Sequence, residues 1–447
     1  MKRIVRCVLK ALRPRNLLAA LGFLVLVQVV ADQVFLFKIK IVEQEASNAK
    51  PIKDFAEPGS SNNAAALYRY AYWLNTRIDG EMKGQFPEIE CPQAGYYSCA
   101  LDGRPCCSGK SAPLSPEQLE LYGGVLAAKQ PVYDLISRAT ALPACVFTTS
   151  YAPEMWQSPN YEECKTLSEM MRLLWDAARW NARHGDAEGA WERLRELLVC
   201  LKRQGGIDAV STRLMQESWL RYTFSAIVDV ADAGSVPESV SPEFFAVLQS
   251  LCDPQTALDT VEFETARYVQ NIDLQMTAST LGNWVRPLAN LDKLYTHKTY
   301  VQFQQAMSRK TPRERMAAVK GLVEAEHLSG FLAYRAVRPW RLFSNDPFLS
   351  VWYAYDLSDI SLISCRMLQT GVALKKQRQR EGGYPEDLAV TAKELPADAT
   401  IDPVTDKPFE YRIEGAGFIL KSPGPKVFDD NSSRQFAPRE ILWQAKN

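Results

Sequence analysis

The sequence predicts a mainly α-helical chain: an N-terminal transmembrane helix, a helical-hairpin array, and a small C-terminal α+β unit of one long helix plus a β-hairpin. Three observations carry this reading. An apolar run from Leu17 to Phe37 follows a basic start, apolar residues recur at helical spacing from about Asn62 to Gln305, and apolar positions alternate at Phe409, Tyr411 and Ile413. The expected division is a cytoplasmic basic segment 1–15, a span 16–37, a juxtamembrane helix and cysteine-rich loop 38–114, the array 115–344 and the C-terminal unit 345–447.

Lys2, Arg3, Arg6, Lys10, Arg13 and Arg15 precede the apolar run, which only Gln28, Asp32 and Gln33 interrupt. Its 21 residues, at about 1.5 Å each, reach roughly 30 Å as a helix, the thickness of a bilayer core. Only Lys38 and Lys40 follow closely, so the positive-inside rule leaves the N-terminus in the cytoplasm and exports the rest. The expected location is a bacterial inner membrane, crossed once, with the bulk of the chain extracytoplasmic. The same segment also reads as a secretory signal cut after Ala31, before Asp32. Apolar residues resume at Val34, Phe35, Leu36 and Phe37, which favours a retained anchor.

The chain has 447 residues, 47% of them hydrophobic and 23% charged, and its formal net charge is zero. Setting aside the six N-terminal cations and Asp32 leaves 46 basic and 51 acidic residues, a balance near −5 for the exported part. That balance gives no reason to expect binding to nucleic acid or to an anionic membrane. Nine of ten cysteines follow the span, and Cys91, Cys99, Cys106 and Cys107 cluster in a loop rich in Pro, Gly and Tyr. Such a segment has little apolar periodicity to fold on, so disulfides worth about 2–4 kcal/mol each are its expected constraint. A metal site there lacks a Cys-x2-Cys pair and a nearby His. Cys200, Cys252 and Cys365 fall in apolar helical patterns and are expected to be buried.

After the span, the first helix is expected from Asn63 toward Leu74. Ser115-Pro116-Glu117 starts another, with a capping hydroxyl and then proline at the first helical position. The clearest unit is a hairpin. Met171, Leu174, Trp175, Ala178 and Ala182 line one helix, Arg183-His184-Gly185-Asp186 turns, and Ala190, Leu194, Leu197, Leu198 and Leu201 line the next. Gly185 suits a C-cap and Asp186 an N-cap. The hairpin resembles one unit of a tetratricopeptide-type repeat, although no 34-residue period continues on either side. Further helices are expected at Thr212–Ala231, Pro242–Cys252, Leu258–Leu274 and Pro312–Arg335.

The C-terminal unit opens at Asn345-Asp346-Pro347 with a helix carrying Tyr353, Leu357, Ile360, Ile363, Met367 and Leu374 on one stripe. Its basic end (Lys375, Lys376, Arg378, Arg380) complements the helix dipole, and Gly382-Gly383 stops it. Phe409, Tyr411 and Ile413 then alternate, Glu414-Gly415-Ala416-Gly417 turns, and Phe418-Ile419-Leu420 returns. The order helix, "GYPEDL", "DPVTDKPFEYRIEGAGFIL", "SPGPKVFDDN" resembles the globular head of the type II secretion major pseudopilin, over about the last 90 residues. With "NAAALYRYA" and the Gly185 hairpin, the chain also resembles a group of large, membrane-anchored, exported helical bacterial proteins with such tails. The pseudopilin resemblance implies a terminal loop that holds calcium, with Asp429 and Asp430 as oxygen ligands. Lys426 stands where that family has an acidic ligand, and Val27 stands where its subunits carry a glutamate, so a filament subunit is not expected.

No catalytic motif emerges. His184 reads as an exposed helix-end residue, and Glu324-x-x-His327 has the spacing of a di-iron ligand pair without the second pair such a site needs. His297 has no partner pair, and Glu262 and Glu264 fall on different helix faces. No catalytic or cofactor-binding residue is assigned. The expected role is a membrane-anchored, extracytoplasmic interaction protein with an envelope protein partner. The alternatives are an envelope hydrolase with a cleft between array and C-terminal unit, and a secretion-machinery accessory.

Overall fold

Asn63 opens the fold by capping: its side-chain oxygen accepts the backbone N–H of Ala65 at 3.1 Å, and α1 (Ala65–Lys83) follows. Backbone bonds from Ala64 N to Ala144 O (2.8 Å) and from Ala144 N to Asn62 O (3.3 Å) tie this start to the loop after α3. The computed structural model describes residues 62–83, 105–106, 109–110, 116–145, 147, 161–204, 210–240, 242–253, 298, 301–309, 311, 313–315, 317–318, 321–322, 347–424 and 441–445. Those up to 253, those at 311–315 and those from 353 onward form one compact unit. Those at 298–309, 317–322 and 347–352 form a second, in which Phe303, Ala306 and Met307 are buried.

A two-residue ladder, β1 (Pro105–Cys106) with β2 (Gly109–Lys110), precedes α2 (Pro116–Ala128). α3 (Gln130–Thr140) begins at once, because Pro131 has no N–H to continue the preceding turn. α4 (Tyr161–Arg183) and α5 (Ala187–Gln204) are the predicted hairpin. Gly185 has φ +80°, the left-handed cap that only glycine adopts cheaply, and Asp186 accepts the Gly189 N–H at 2.9 Å. Every residue expected on the two facing stripes is buried. Ala178, Ala182 and Ala190 let the helices approach, while Leu174, Leu194, Leu197 and Leu201 each contribute about 1.5–3 kcal/mol by burial. Replacing Asp186 by alanine is expected to cost about 1 kcal/mol, read as a lower urea midpoint at an unchanged slope.

α6 (Val210–Ala233) packs against α4 and α5, α7 (Pro242–Leu251) against α5, and α1 and α3 against each other and the hairpin. The long helix α8 (Pro347–Glu381) follows, and Gly382 ends it at φ +79°. The basic end places Arg378 and Arg380 in the last turn, as expected, and its two lysines also serve tertiary packing. Lys375 Nζ lies 2.7 Å from Asp232 on α6, and Lys376 Nζ donates to the Val240 carbonyl at 2.9 Å. Ser361 Oγ donates to Glu217 of α6 at 2.6 Å in a fully buried contact.

The remainder wraps α8. In the Gly383-Tyr384-Pro385 turn, Tyr411 donates its hydroxyl to the Pro385 carbonyl at 2.7 Å and the Tyr384 ring meets Phe418 edge-on at 5.1 Å. Asp387 caps α9 (Leu388–Thr391) by accepting the Ala389 N–H at 2.9 Å. The Asp402-Pro403 segment is a tight turn between β3 (Ile401–Asp402) and β4 (Lys407–Pro408), where buried Asp402 accepts the Val404 N–H. The expected hairpin is β5 (Glu410–Glu414) and β6 (Gly417–Ser422), joined by Gly415-Ala416 with Gly415 at φ +60°. A third strand, β7 (Ile441–Gln444), pairs antiparallel with β6, so the hairpin is part of a three-stranded sheet.

Cys200, Cys252 and Cys365 are fully buried, as expected, and Cys145, Cys200 and Cys365 are free thiols. Cys91, Cys99 and Cys107 lie outside the described residues, and Cys106 is described by its backbone alone. Among the described residues no helix is long and apolar enough to cross a membrane; the predicted span 16–37 and the cut after Ala31 lie outside them.

Candidate partner-binding surface

α5 shows two faces. Leu194, Leu197 and Leu201 are buried, while Glu188, Glu192 and Arg195 follow one another along the exposed side. α7 lies beside that side and closes a groove of about 610 Å³. Its floor is apolar, formed by Trp191, Leu198, Val240, Phe244 and Val247, with Trp191 and Phe244 edge-to-face at 5.5 Å. Among the described residues its rim carries Glu188, Glu192 and Glu243 against Arg195 alone. Arg195 grips Glu192 with two nitrogens, Nε at 2.9 Å and Nη2 at 2.5 Å, and these bonds hold the Glu192 carboxyl below its ordinary range. Ser239 Oγ donates to Glu188 at 2.8 Å. The groove follows α5 from 188 to 199, roughly 16 Å of helix.

Behind this surface the helices are joined by buried polar contacts. Glu196, 1% exposed, accepts from Arg193 at 2.8 Å and from the Ser137 hydroxyl of α3. Arg203 reaches from the end of α5 to the last carbonyls of α3, at Ala139 (2.9 Å) and Thr140 (3.2 Å), to the Leu142 carbonyl just beyond it (2.5 Å), and to the Tyr68 hydroxyl of α1 (2.6 Å). Arg179 of α4 is buried on the Trp175 ring, 4.6 Å from its centroid, and lies 3.0 Å from Asp229 of α6. Asp176 is wholly buried among Tyr122, Tyr133, Arg172 and Lys129. Burial outweighs the two cations and the Tyr122 hydroxyl beside it, pushing its carboxyl up to about 7.

A second surface lies on α1. Tyr70 and Trp73 are half exposed and stack at 5.6 Å and 13°, with Arg77 over the Trp73 ring at 5.8 Å. Beside them a recess of about 140 Å³ is lined by Arg69, Tyr72, Glu163 and Thr166.

His184 is exposed, as the sequence predicts; its Nδ1 lies 2.9 Å from the Trp180 carbonyl and its ring stacks on Trp180 at 3.9 Å. Glu262, Glu264, His297, Glu324, His327, Lys426, Asp429 and Asp430 lie outside the described residues, as does the helix expected at Leu258–Leu274. Among the described residues no three His, Cys, Asp or Glu side chains come together as a metal-binding group. The rim carboxylates were not singled out from sequence. Glu188 and Glu192 lie on an exposed helix face, and α7, whose start is 50 residues beyond Glu192, becomes their neighbour only through packing.

Compared with protein-family models, with curated proteins and with solved structures, the chain matches none.

Proposed function

We propose that this chain is a membrane-anchored, extracytoplasmic interaction protein of the bacterial envelope. The observation that carries the reading is the groove between α5 and α7, with an apolar aromatic floor under a rim of three carboxylates and one arginine. A floor of that kind supplies the contact area of a protein interface, and an uneven rim charge sets the partner's polarity and orientation. The span at 16–37 tethers the chain, and the C-terminal unit, read as similar to a pseudopilin head, is a compact module resting on α8. Calcium at Asp429 and Asp430 belongs to the same reading. It predicts a higher melting temperature in calcium that is lost when both are alanine; an equal shift in wild type and variant defeats it.

The test is in-cell cross-linking of the C-terminally tagged protein, purification from detergent-solubilised membranes and mass spectrometry. A stoichiometric envelope partner is expected. Converting Glu188, Glu192 and Glu243 together to glutamine should lower its capture roughly tenfold, with fold and membrane fractionation unchanged. Capture that survives the triple substitution removes the groove from the reading.

The same three carboxylates are the observation behind a second reading, an envelope hydrolase. The Arg195 bonds that hold Glu192 anionic work against a proton-donating role for it. A clean, partnerless protein in the membrane fraction would shift the balance to this reading and to substrate screening.

A further inference from the structure

The α1 surface is unlike the rest of the described exterior. Tyr222, also half exposed, leans on the partly buried Trp219 at 5.5 Å and on the buried Trp175, whereas Tyr70 and Trp73 are both half exposed and stack on each other along one stripe of a helix whose other side is core. One cation borders the pair, Arg77 over Trp73 at 5.8 Å, and it shares its charge with exposed Glu81 at 2.9 Å. Lys165 over Tyr72 at 5.9 Å and Arg69 over Phe147 at 5.5 Å lie over neighbouring rings, Arg69 also 3.6 Å from Glu163. Amphipathic aromatic rings with long basic side chains beside them are the chemistry of the bilayer interface, where rings settle at the headgroup level and cations reach phosphates.

We infer that the Tyr70–Trp73 face of α1 rests on the phospholipid interface of the membrane that anchors the chain. The inference builds on the anchor of the reading above and is independent of the groove. Only 24 residues separate Phe37, the end of the predicted span, from Asn62. Even fully extended, such a segment spans at most about 85 Å, so the membrane is present at high effective concentration for this face. A net charge near −5 on the exported part means that aromatic burial, rather than bulk attraction, must drive the contact. Tyr70, Trp73 and Arg77 supply what the interface takes up.

The experiment uses the full chain in phosphatidylethanolamine–phosphatidylglycerol vesicles whose lipids are brominated at shallow acyl positions, comparing wild type with Trp73→Phe. Alkaline washing first reads the anchor: retention of both proteins supports it. Bromolipid is then expected to quench wild-type tryptophan emission by up to one part in ten more than the variant's, the share of one among ten tryptophans. Equal quenching of two retained proteins overturns the inference and leaves the anchor standing. Loss of both proteins in the wash overturns the anchor, and the interface contact with it. A Trp73→Phe effect confined to cross-linking of a second copy or a partner, with quenching unchanged, assigns the face to protein and also overturns it.

Discussion

Replacing Gly371 by alanine is expected to destabilise the protein by about 2–3 kcal/mol or more, although the same change at an open helical position stabilises by up to about 1 kcal/mol. The reversal comes from one contact. Gly371 lies within α8, and a Cβ there would overlap the six-membered ring of Trp443. Trp443 comes from β7 and is buried; its ring meets Phe418 edge-on at 5.5 Å. Leu420 and Phe409, buried in the same core, leave it little room to retreat. The added methyl therefore either pushes β7 off α8 or drives the indole out of its rotamer, and interiors packed at native density accommodate neither cheaply. A double-mutant cycle measures this directly. In a Trp443→Leu background, Gly371→Ala should be neutral or stabilising by urea unfolding, giving a coupling of more than about 2 kcal/mol. Additive costs in the two backgrounds would show that Gly371 has some other role.

This contact also marks where the sequence stops being legible. The α4–α5 hairpin was readable because its signals are local: small and aliphatic residues at helical spacing, and Gly185-Asp186 performing both caps within two residues. The β5–β6 hairpin was readable for the same reason, from alternation around a glycine turn. β7 was not. Its four residues carry no turn signal of their own, and their pairing with β6 is fixed by Trp443 docking on α8, a partner far away in sequence. The groove was hidden similarly, since each helix taken alone has an ordinary polar face. α4 conceals most. Arg172, Asp176 and Arg179 occupy positions that a periodicity argument gives to solvent, yet all three are buried, because α4 has neighbours on several sides. Apolar spacing predicts one buried face; it does not predict a helix surrounded.

Asp176 turns that enclosure into a dependence on pH. Its carboxyl is raised from the ordinary value near 4 to about 7, chiefly by burial, against the opposing pull of Arg172, Lys129 and the Tyr122 hydroxyl. The folded state therefore binds this proton more tightly than the unfolded chain does. The stabilisation linked to it is fully present below the unfolded pKa, shrinks as pH rises from about 4, and is gone above about 7. At roughly 1.4 kcal/mol per unit across that window, the loss is on the order of 4 kcal/mol. The surrounding charges do not cancel it. Lys129 is held by Asp79 at 2.5 Å and Arg172 by Glu169 at 2.7 Å, so each cation already has its anion, and Oδ1 of Asp176 lacks a hydrogen-bond partner. Asp176→Asn keeps the shape and removes the titration. Its stability relative to wild type should therefore rise with pH, and above pH 7 the variant should gain several kcal/mol on its standing at pH 4. Urea unfolding of both proteins at pH 4, 5.5, 7 and 8.5 measures the difference. A wild-type-minus-variant difference that stays flat across the series would mean that Asp176 is ionised in the folded protein throughout, with Arg172 and Lys129 outweighing burial after all.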